Sequence, residues 1–439
     1  MNAVKTESYE AYKDSGVEWL GEVPKHWKVK RLKDTIAIAL SYGANESATD
    51  SNPLHPRYIR ITDFSDNETL KEETFKSLPP ELANNYLLKD GDILLARSGA
   101  TAGKTFHFKG YKGKACYAGY LIKARFKVSV LLPSFFSLYT KSFVYNDWRN
   151  SIVIKSTIEN ISAERYGFFL FIPTPPLLEQ AAIATYLDTK TAQIDRQIDL
   201  LSQKVTQYGK LKQSLINETV IRGLDKTVPM KDSGVEWIGE VPESWEVTAV
   251  TNITDTVSHK NHPKEELLSV YRDYGVIIKS SRDDNHNKAG ADLSSYKLVE
   301  PGYLVINKMK AWQGSLGVSE FKGIVSPAYI TCKTNWRIVD RGYLHHLLRC
   351  RIFINEYNRL SFGVRVDQWD MRYDDFKYVP VLLPPLPEQI AIANYLNTKT
   401  AQIDRIVTTI NSQIEKLKEL RKVLINDVVT GKIKVVREG

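Results

Sequence analysis

Two segments of the chain bring cationic and amide side chains together with aromatic ones. In the first segment, 33–173, residues 104–127 hold seven Lys or Arg and no Asp or Glu, and Phe, Tyr and His lie between them. The second segment, 251–383, carries Lys279, Arg282, Lys308, Lys310, Trp312 and Gln313. Cations suit contact with phosphates, whereas the edge of a base is read by directed donors such as Arg and Gln. A solvated surface position is the alternative for any single residue, so only the clusters carry weight. The pattern predicts DNA contact through the following residues: Arg60, Arg97, Ser98, Lys104, Arg282, Lys308, Lys310, Gln313 and Arg365.

Motifs for catalysis on nucleotides or DNA are incomplete. GATAGKT at 99–105 resembles a phosphate-binding loop, but three residues separate Gly99 from Gly103 where that loop has four. TPPL at 174–177 and LPPL at 383–386 resemble the catalytic tetrapeptide of adenine methyltransferases. They lack its Asp, Asn or Ser at the first position and its aromatic residue at the fourth, and no glycine-rich methyl-donor loop precedes them. Each Pro pair is therefore interpreted as the entry to a helix, and no catalytic residue is predicted.

Neither a metal site nor a disulfide framework is expected. His259 and His262 have HxxH spacing, and His345 and His346 lie near Cys350, but no further ligand stands at a metal-binding spacing. The net charge of +9 permits a polyanionic partner without requiring one. No apolar run is long enough for a membrane span and no secretory signal is evident, so the chain is expected in the cytoplasm and away from membranes.

The sequence blocks that flank these residues occur twice in the chain, as an internal repeat. KDSGVEWLGEVPKHWKV at 13–29 returns at 231–247 with 13 of 17 positions identical. PPLLEQAAIATYLDTKTAQIDR at 175–196 returns at 384–405 with 18 of 22 identical. Between these blocks the two halves diverge strongly. The framing blocks therefore do one job twice, either against two copies of a partner or against each other, while the segments between them do two different jobs.

Both copies of the PPLxEQ block, at 175–196 and 384–405, begin a long helix with a narrow apolar stripe. Apolar residues recur at steps of three and four through 194–215 and 403–424, close to the heptad seam of a coiled coil. We predict helices at 178–222 and 387–430, each followed by a glycine and packed as an antiparallel pair. Two long core helices of an ordinary domain are the alternative. The segments between the blocks alternate β-rich runs with Gly, Asn, Asp and Ser clusters, which predicts mixed sheet and loop.

This architecture closely resembles the specificity subunit of type I restriction-modification systems. The resemblance rests on DSGVEWxGEVPxxW before each variable segment and PPLxEQxxIAxYLxxKTAQIDR after it, and it covers nearly the whole chain. It implies an α/β (α+β) fold with two homologous target recognition domains that contain twisted sheets. An antiparallel coiled coil of two long helices would separate them, in a pseudo-two-fold tandem repeat. The implied target recognition domains are 1–173 and 224–383 with caps at 13–32 and 231–250, and the spacer and docking helices are 174–223 and 384–439.

The resemblance also implies a function and partners. Each domain would read one half of a split, asymmetric site in double-stranded DNA, and the helices would set the gap. Two methyltransferase subunits would methylate adenine at N6. In the full complex, two restriction (motor) subunits would join them to restrict unmodified DNA. S-adenosylmethionine, ATP and Mg would be held by those partners and no cofactor by this chain. The motif positions carried over as a partner interface are Glu179, Gln180, Tyr186, Glu388, Gln389 and Tyr395.

Two other functions stay open on the residues alone. One is a coiled-coil assembly protein without DNA readout, which would not explain two diverged basic segments. The other is a DNA methyltransferase or nuclease acting by itself, against which the incomplete motifs count.

Overall fold

The chain folds into two compact units that are not consecutive in sequence. Unit 1 comprises residues 1–201 and 412–439, and unit 2 comprises residues 202–411. The computed structural model describes residues 7–65, 69–152, 160–272, 274–282, 290, 292–363 and 369–435. Each unit therefore contains the N-terminal half of one long helix and the C-terminal half of the other.

Unit 1 is built from short strands and helices and contains the start of the first long helix. Its strands are β1 (Tyr12–Asp14), β2 (Glu22–Pro24), β3 (Lys28–Arg31), β4 (Ser41–Tyr42), β5 (Arg57–Ile59), β6 (Ile93–Ala96), β7 (Thr105–His107), β8 (Ala115–Tyr117), β9 (Leu121–Ala124) and β10 (Phe171–Thr174). Its helices are α1 (Leu32–Thr35), α2 (Pro80–Ala83), α3 (Pro133–Tyr139), α4 (Phe143–Ile152), α5 (Ala163–Phe169) and the first half of α6 (Leu177–Arg222).

Unit 2 repeats this order with more strands. Its strands are β11 (Met230–Asp232), β12 (Glu240–Pro242), β13 (Glu246–Ala249), β14 (Thr254–Thr256), β15 (Leu268–Tyr271), β16 (Gly275–Ile278), β17 (Lys297–Val299), β18 (Leu304–Asn307), β19 (Leu316–Val318), β20 (Gly323–Val325), β21 (Tyr329–Thr334), β22 (Ser361–Phe362), β23 (Asp370–Met371) and β24 (Pro380–Leu383). Its helices are α7 (Val250–Ile253), α8 (Arg341–Leu348), α9 (Arg351–Leu360), α10 (Tyr373–Phe376) and the first half of α11 (Leu386–Val429).

An antiparallel four-stranded sheet with the same topology forms the centre of each unit. The strand order is β4-β9-β6-β7 in unit 1 and β14-β21-β18-β19 in unit 2. Successive side chains of a strand point to opposite faces. In β6, Ile93 and Leu95 accordingly join the core that contains α3 and α4, whereas Leu94 and Ala96 join a second core on the other face. Both faces of the central strand are thus covered, which fixes its register.

The outer layers of the two units differ. In unit 1, β5 and β8 form a parallel pair. In unit 2, β15 pairs with β16 and β17 pairs with β20, and both pairs are antiparallel. The shared inner sheet and different outer strands agree with a duplicated scaffold whose middle segments diverged.

The two long helices begin and end within one residue of their predicted bounds. In unit 1, Leu187 near the start of α6 shares a core with Val428 at the end of α11, so the helices run antiparallel there. In unit 2, Leu396 shares a core with Val220 in the same way. Gly223 follows α6 with a φ of +75°, in the left-handed region that glycine adopts at helix ends. The predicted fold, two homologous α/β units with an antiparallel pair of long helices, is confirmed.

The predicted seam of the helix pair is wrong at one position in each helix. Leu211 and Leu420 are 53% and 52% exposed. The next residue in each case pairs with an acid of the other helix: Lys212 contacts Asp404 at 2.7 Å in unit 2, and Arg421 contacts Asp195 at 2.9 Å in unit 1. An α-helix drifts by about 20° per heptad from a strict seven-residue repeat, so a stripe that starts in the contact rotates out of it.

Candidate nucleic-acid interface

In each unit the buried central strand ends in a loop that carries several of the predicted DNA contacts. We call residues 97–104 of unit 1 and 308–315 of unit 2 the strand-end loops. Each loop closes with a backbone hydrogen bond from the last residue of the strand to the last residue of the loop, at 2.8 Å and 3.0 Å. Gly103 and Gly314 have φ of +87° and +88° in these loops, where a side chain would strain the backbone. The two loops therefore share one backbone design.

A second chain segment lies against each strand-end loop at an equivalent place. In unit 1 the amide of Ile161 donates to the carbonyl of Arg97 at 2.7 Å, and in unit 2 the amide of Met371 donates to the carbonyl of Lys308 at 3.0 Å. The residue just before that amide is Asn160 in unit 1, whereas Asp370 precedes it in unit 2. Position for position, the pair Arg97 and Asn160 corresponds to the pair Lys308 and Asp370.

Arg97 lies against an aromatic ring at the start of the strand-end loop of unit 1. Its guanidinium carbon lies 4.7 Å from the ring centroid of Tyr42. The Tyr42 hydroxyl in turn accepts a hydrogen bond from the amide of Ala163 at 3.0 Å, which holds the ring in place. The arrangement is a cation-π contact beside the start of the strand-end loop.

Ser98 and Lys104 lie on the same loop, at its two ends. Ser98 is half-buried and forms a backbone bridge with Asn160. Lys104 is exposed and lines a cavity of about 910 Å³, together with Arg149 and with residues of α6 and α11 that belong to unit 1. The helices contribute carboxylates to this cavity as well as cations, which are Asp195, Asp199, Glu415, Lys418, Glu419, Arg421 and Lys422. The cavity is thus mixed in charge and does not by itself favour an anion.

In unit 2 the structure brings three predicted contacts together on one loop. Lys308 contacts Asp370 through an ion pair of 2.9 Å, and both side chains are about one third exposed. Lys310 is exposed, and Gln313 lies half-buried in the 3-10 turn Ala311–Gln313. The loop therefore offers a tethered cation, a second exposed cation and an amide to any ligand at this end of the sheet.

Two predicted contacts lie away from the strand-end loops, and a third is not described. Arg60 is held by Asp63 at 2.8 Å and by the carbonyl of Thr74 at 2.8 Å, so most of its donors are used within unit 1. The guanidinium carbon of Arg282 lies 4.8 Å from the ring centroid of Tyr274, the residue just before β16. Arg365 lies outside the described residues.

Two cations of the run at 104–127 are buried or paired with an acid in the folded chain. Lys123 is buried, and desolvation lowers its pKa. Arg125 donates twice to Asp92, at 2.7 Å each, and this raises the pKa of Arg125. These two cations are therefore not available at the surface, because Lys123 points inward and Asp92, an acid outside the run, pairs with Arg125.

Sequence reasoning missed Tyr42, Asn160 and Asp370. Each lies more than fifty positions along the chain from the cation it accompanies, and no local pattern links them. A signal was present only in the repeat, because Asn160 and Asp370 occupy equivalent places 210 residues apart in the two halves.

The framing motifs bind each other within each unit. The carboxylate of Glu179 accepts hydrogen bonds from the indole of Trp27 at 3.1 Å and from the hydroxyl of Tyr9 at 2.5 Å. Glu388 accepts one from the indole of Trp245 at 3.2 Å. These contacts favour the second of the two roles considered for the framing blocks, in which they act against each other.

The glutamine of each PPLxEQ motif is a buried clamp. Gln180 and Gln389 are fully buried. Gln180 accepts from the amide of Leu132 at 2.8 Å, and its amide group donates to the carbonyls of Val130 at 3.0 Å and Pro175 at 2.8 Å. Gln389 makes the same three bonds at the same distances with Asp340, Ile338 and Pro384. The structure gives both side chains an intrachain role, and their predicted part in a partner interface stays a prediction.

The two motif tyrosines are more accessible than these glutamines. Tyr186 and Tyr395 are half-buried, and burial raises the pKa of Tyr186. Lys190 and Lys399 lie 5.9 Å from the respective ring centroids. The tyrosines and the glutamates therefore keep part of their surface open beside the start of each long helix.

Two kinds of feature are absent from the part of the chain that the structure describes. No cluster of three or more His, Cys, Asp or Glu there could hold a metal ion. Among the described helices, none combines the length and apolar composition that a membrane crossing requires.

The chain is similar in sequence to known proteins. Residues 24–205 match the family described as type I restriction modification DNA specificity domain. The MjaVIII specificity subunit of Methanocaldococcus jannaschii is 25% identical over 438 residues, which cover 94% of each chain. The EcoKI specificity subunit of Escherichia coli K12 is 22% identical over 94% of this chain and 90% of its own. Over nearly its whole length, the chain is thus similar to specificity subunits of type I restriction enzymes.

Two solved structures share the fold of this chain. The HsdS subunit from Thermoanaerobacter tengcongensis superposes with a TM-score of 0.56 at 16% identity, over 93% of this chain and 98% of its own. A chain from a structure of type I restriction-modification complex assembly and conformational transition superposes with a TM-score of 0.69 at 15% identity, over the same shares. The family match ends just past the middle of α6, and the internal repeat extends the same frame to unit 2.

Proposed function

We propose that this chain is the non-catalytic DNA-reading subunit of a type I restriction-modification complex. The observation that carries the proposal is the contrast between a constant frame and variable loops. Two copies of an active site would repeat their reactive side chains, whereas two readers of different half-sites would change them. Arg97 with Asn160 against Lys308 with Asp370 follows the second pattern.

Each unit would dock on double-stranded DNA through its strand-end loop. Exposed lysines such as Lys104 and Lys310 suit phosphate contact, which positions a protein without reading sequence. Arg97, Lys308 and Gln313 can place donors at base edges in the major groove. The two half-sites would together form a split, asymmetric target, and the two long helices would set the unspecified gap.

Catalysis would belong to partner subunits. By analogy with the family, two methyltransferase subunits would bind through the surface near Glu179, Tyr186, Glu388 and Tyr395, and two restriction subunits would complete the complex. S-adenosylmethionine, ATP and Mg would be held by these partners. Such a complex would act in the cytoplasm, where the DNA is.

The proposal is tested by exchanging one reader. The full chain is co-expressed with its methyltransferase partner, and N6-methyladenine is mapped across the host genome. Replacement of 33–173 by the corresponding segment of a related specificity subunit should change one half of the methylated sequence and leave the other half unchanged.

Other results would contradict the proposal. A change in both halves would mean that the units do not read separately. Methylation by the chain without its partner would make the chain an enzyme. Binding to DNA without a steep dependence on salt would count against phosphate contact, and no binding would favour an assembly protein.

A further inference from the structure

Three arginines of unit 1 differ from Arg97 in their partners. Arg57, Arg60 and Arg125 each contact a carboxylate, at 3.0, 2.8 and 2.7 Å, and are thus neutralised within the fold. For Arg97, no carboxylate of the described residues lies within ion-pair distance, and its terminal nitrogens make no hydrogen bond to the described part of the chain. Its charge and its two terminal amino groups are therefore available to a ligand.

The position of Arg97 is nevertheless fixed. Its amide donates to the carbonyl of Tyr120 at 3.0 Å, and its carbonyl accepts from the amide of Ile161 at 2.7 Å, so the backbone is held on both sides. The guanidinium lies over the ring of Tyr42 at 4.7 Å, and its Nε is buried without a partner. The side chain is thus held by its inner part while its outer edge carries the remaining donors.

A fixed guanidinium with two parallel donors matches one base edge in particular. Guanine presents two acceptors, N7 and O6, side by side in the major groove, and arginine pairs with both at once. Adenine presents an acceptor and a donor there, which two parallel donors do not match. A phosphate would also accept from arginine, but phosphate contact does not need a side chain whose direction is fixed by stacking.

We propose that Arg97 determines sequence specificity by reading a guanine in the half-site of unit 1, with Tyr42 as its positioning residue. This inference rests on the proposed DNA-reading function. It assigns a G·C base pair to one half of the target and names the side chain that requires it. Tyr42 acts through Arg97 and makes no base contact of its own in this scheme.

The test uses the full chain in complex with its methyltransferase partner. Methylation rates are measured on DNA duplexes that carry the mapped target and on duplexes with each half-site base pair replaced in turn. The wild-type complex should discriminate against replacement of one G·C pair. Arg97→Gln and Arg97→Lys should each lower that discrimination by about tenfold to a hundredfold and leave every other position unchanged.

Two Tyr42 variants separate positioning from folding. Tyr42→Leu removes the ring and should relax the same base pair by a smaller factor, whereas Tyr42→Phe keeps the ring and should retain the preference for guanine. Arg31 lies 5.5 Å from the Phe171 ring centroid on the frame of unit 1, so Arg31→Gln is a matched control that should not change the target. Thermal unfolding of each complex identifies variants that do not fold, and Arg97→Lys, which keeps the charge, provides the test if Arg97→Gln is one of them.

The outcomes distinguish this proposal from the function on which it rests. If Arg97 variants weaken methylation equally on all duplexes, the residue contacts phosphate and the proposal is wrong. An unchanged base preference would also overturn it. A wild-type complex that methylates no bipartite sequence would instead contradict the proposed function itself.

Discussion

Gln180 in unit 1 and Gln389 in unit 2 make the same three hydrogen bonds at the same distances, whereas the strand-end loops of the two units carry different polar pairs. Arg97 lies over Tyr42 beside an uncharged asparagine. Lys308 instead contacts Asp370 at 2.9 Å. Evolution of the two halves has thus kept the buried contacts and changed the polar ends of the loops.

This difference shows where each constraint comes from. A buried amide with three partners cannot change without leaving donors and acceptors unpaired, which costs about 1–3 kcal/mol for each group. A loop residue at the end of a strand makes fewer bonds within the fold, so its side chain can change with its ligand. The comparison of the two units therefore separates residues that hold the fold from residues that are available for recognition.

The largest effect is expected at the clamps. Gln180→Leu leaves one backbone amide and two backbone carbonyls without their side-chain partner, and Gln389→Leu does the same in unit 2. Each variant should lose about 3–5 kcal/mol of stability, with equal losses in the two units. The measurement is the thermal unfolding of the full chain. Gln193→Leu and Gln402→Leu, exposed positions on the same helices, are the controls and should change little. Clearly unequal losses would show that the two clamps are not equivalent.

A smaller and unequal effect is expected at the motif glutamates. Glu179 accepts from Trp27 and Tyr9 and lies 2.9 Å from a ring nitrogen of His26, whereas Glu388 accepts from Trp245. Glu179→Ala should therefore lower the free energy of unfolding by about 2–4 kcal/mol, and Glu388→Ala should lower it by about 1–2 kcal/mol. The exposed Glu236→Ala serves as a control for charge removal in the framing block. Equal losses from the two variants would mean that the extra donors of unit 1 contribute nothing.

The frame of this fold could be predicted from sequence, because its signals are local and repeated. Helix periodicity and terminal glycines placed α6 and α11 to within one residue. The predicted seam was wrong at Leu211, which is exposed, because a heptad count ignores the slow rotation of an α-helix relative to that repeat.

The candidate site could be predicted only in part. Arg97 and Lys308 follow buried strands and so could be proposed from their positions. Tyr42 and Asp370 reach them through tertiary packing that no spacing in the sequence encodes. The buried Lys123 shows the converse error, because a residue type that favours DNA contact can point into the core.

The smallest expected effect concerns Asn160 and Asp370, which occupy equivalent positions on the segments that lie against the two strand-end loops. Asp370→Asn removes the acid that tethers Lys308, and Asn160→Asp places an acid at the equivalent position of unit 1, next to Arg97. An exposed ion pair contributes only about 0–1 kcal/mol, so Asp370→Asn should fold normally. Asn160→Asp should lose some stability, because the Oδ1 of Asn160 is buried without a partner and a carboxylate there is desolvated. Asp370→Asn should bind DNA several times more tightly at low salt, with the slope of log affinity against log salt steeper by about 1, because one more cation can neutralise a phosphate. Asn160→Asp should change affinity and slope in the opposite direction. If Asp370→Asn left the slope unchanged but altered the methylated sequence of the second half-site, Asp370 would itself be accepting a hydrogen bond from a base, as a carboxylate can from cytosine.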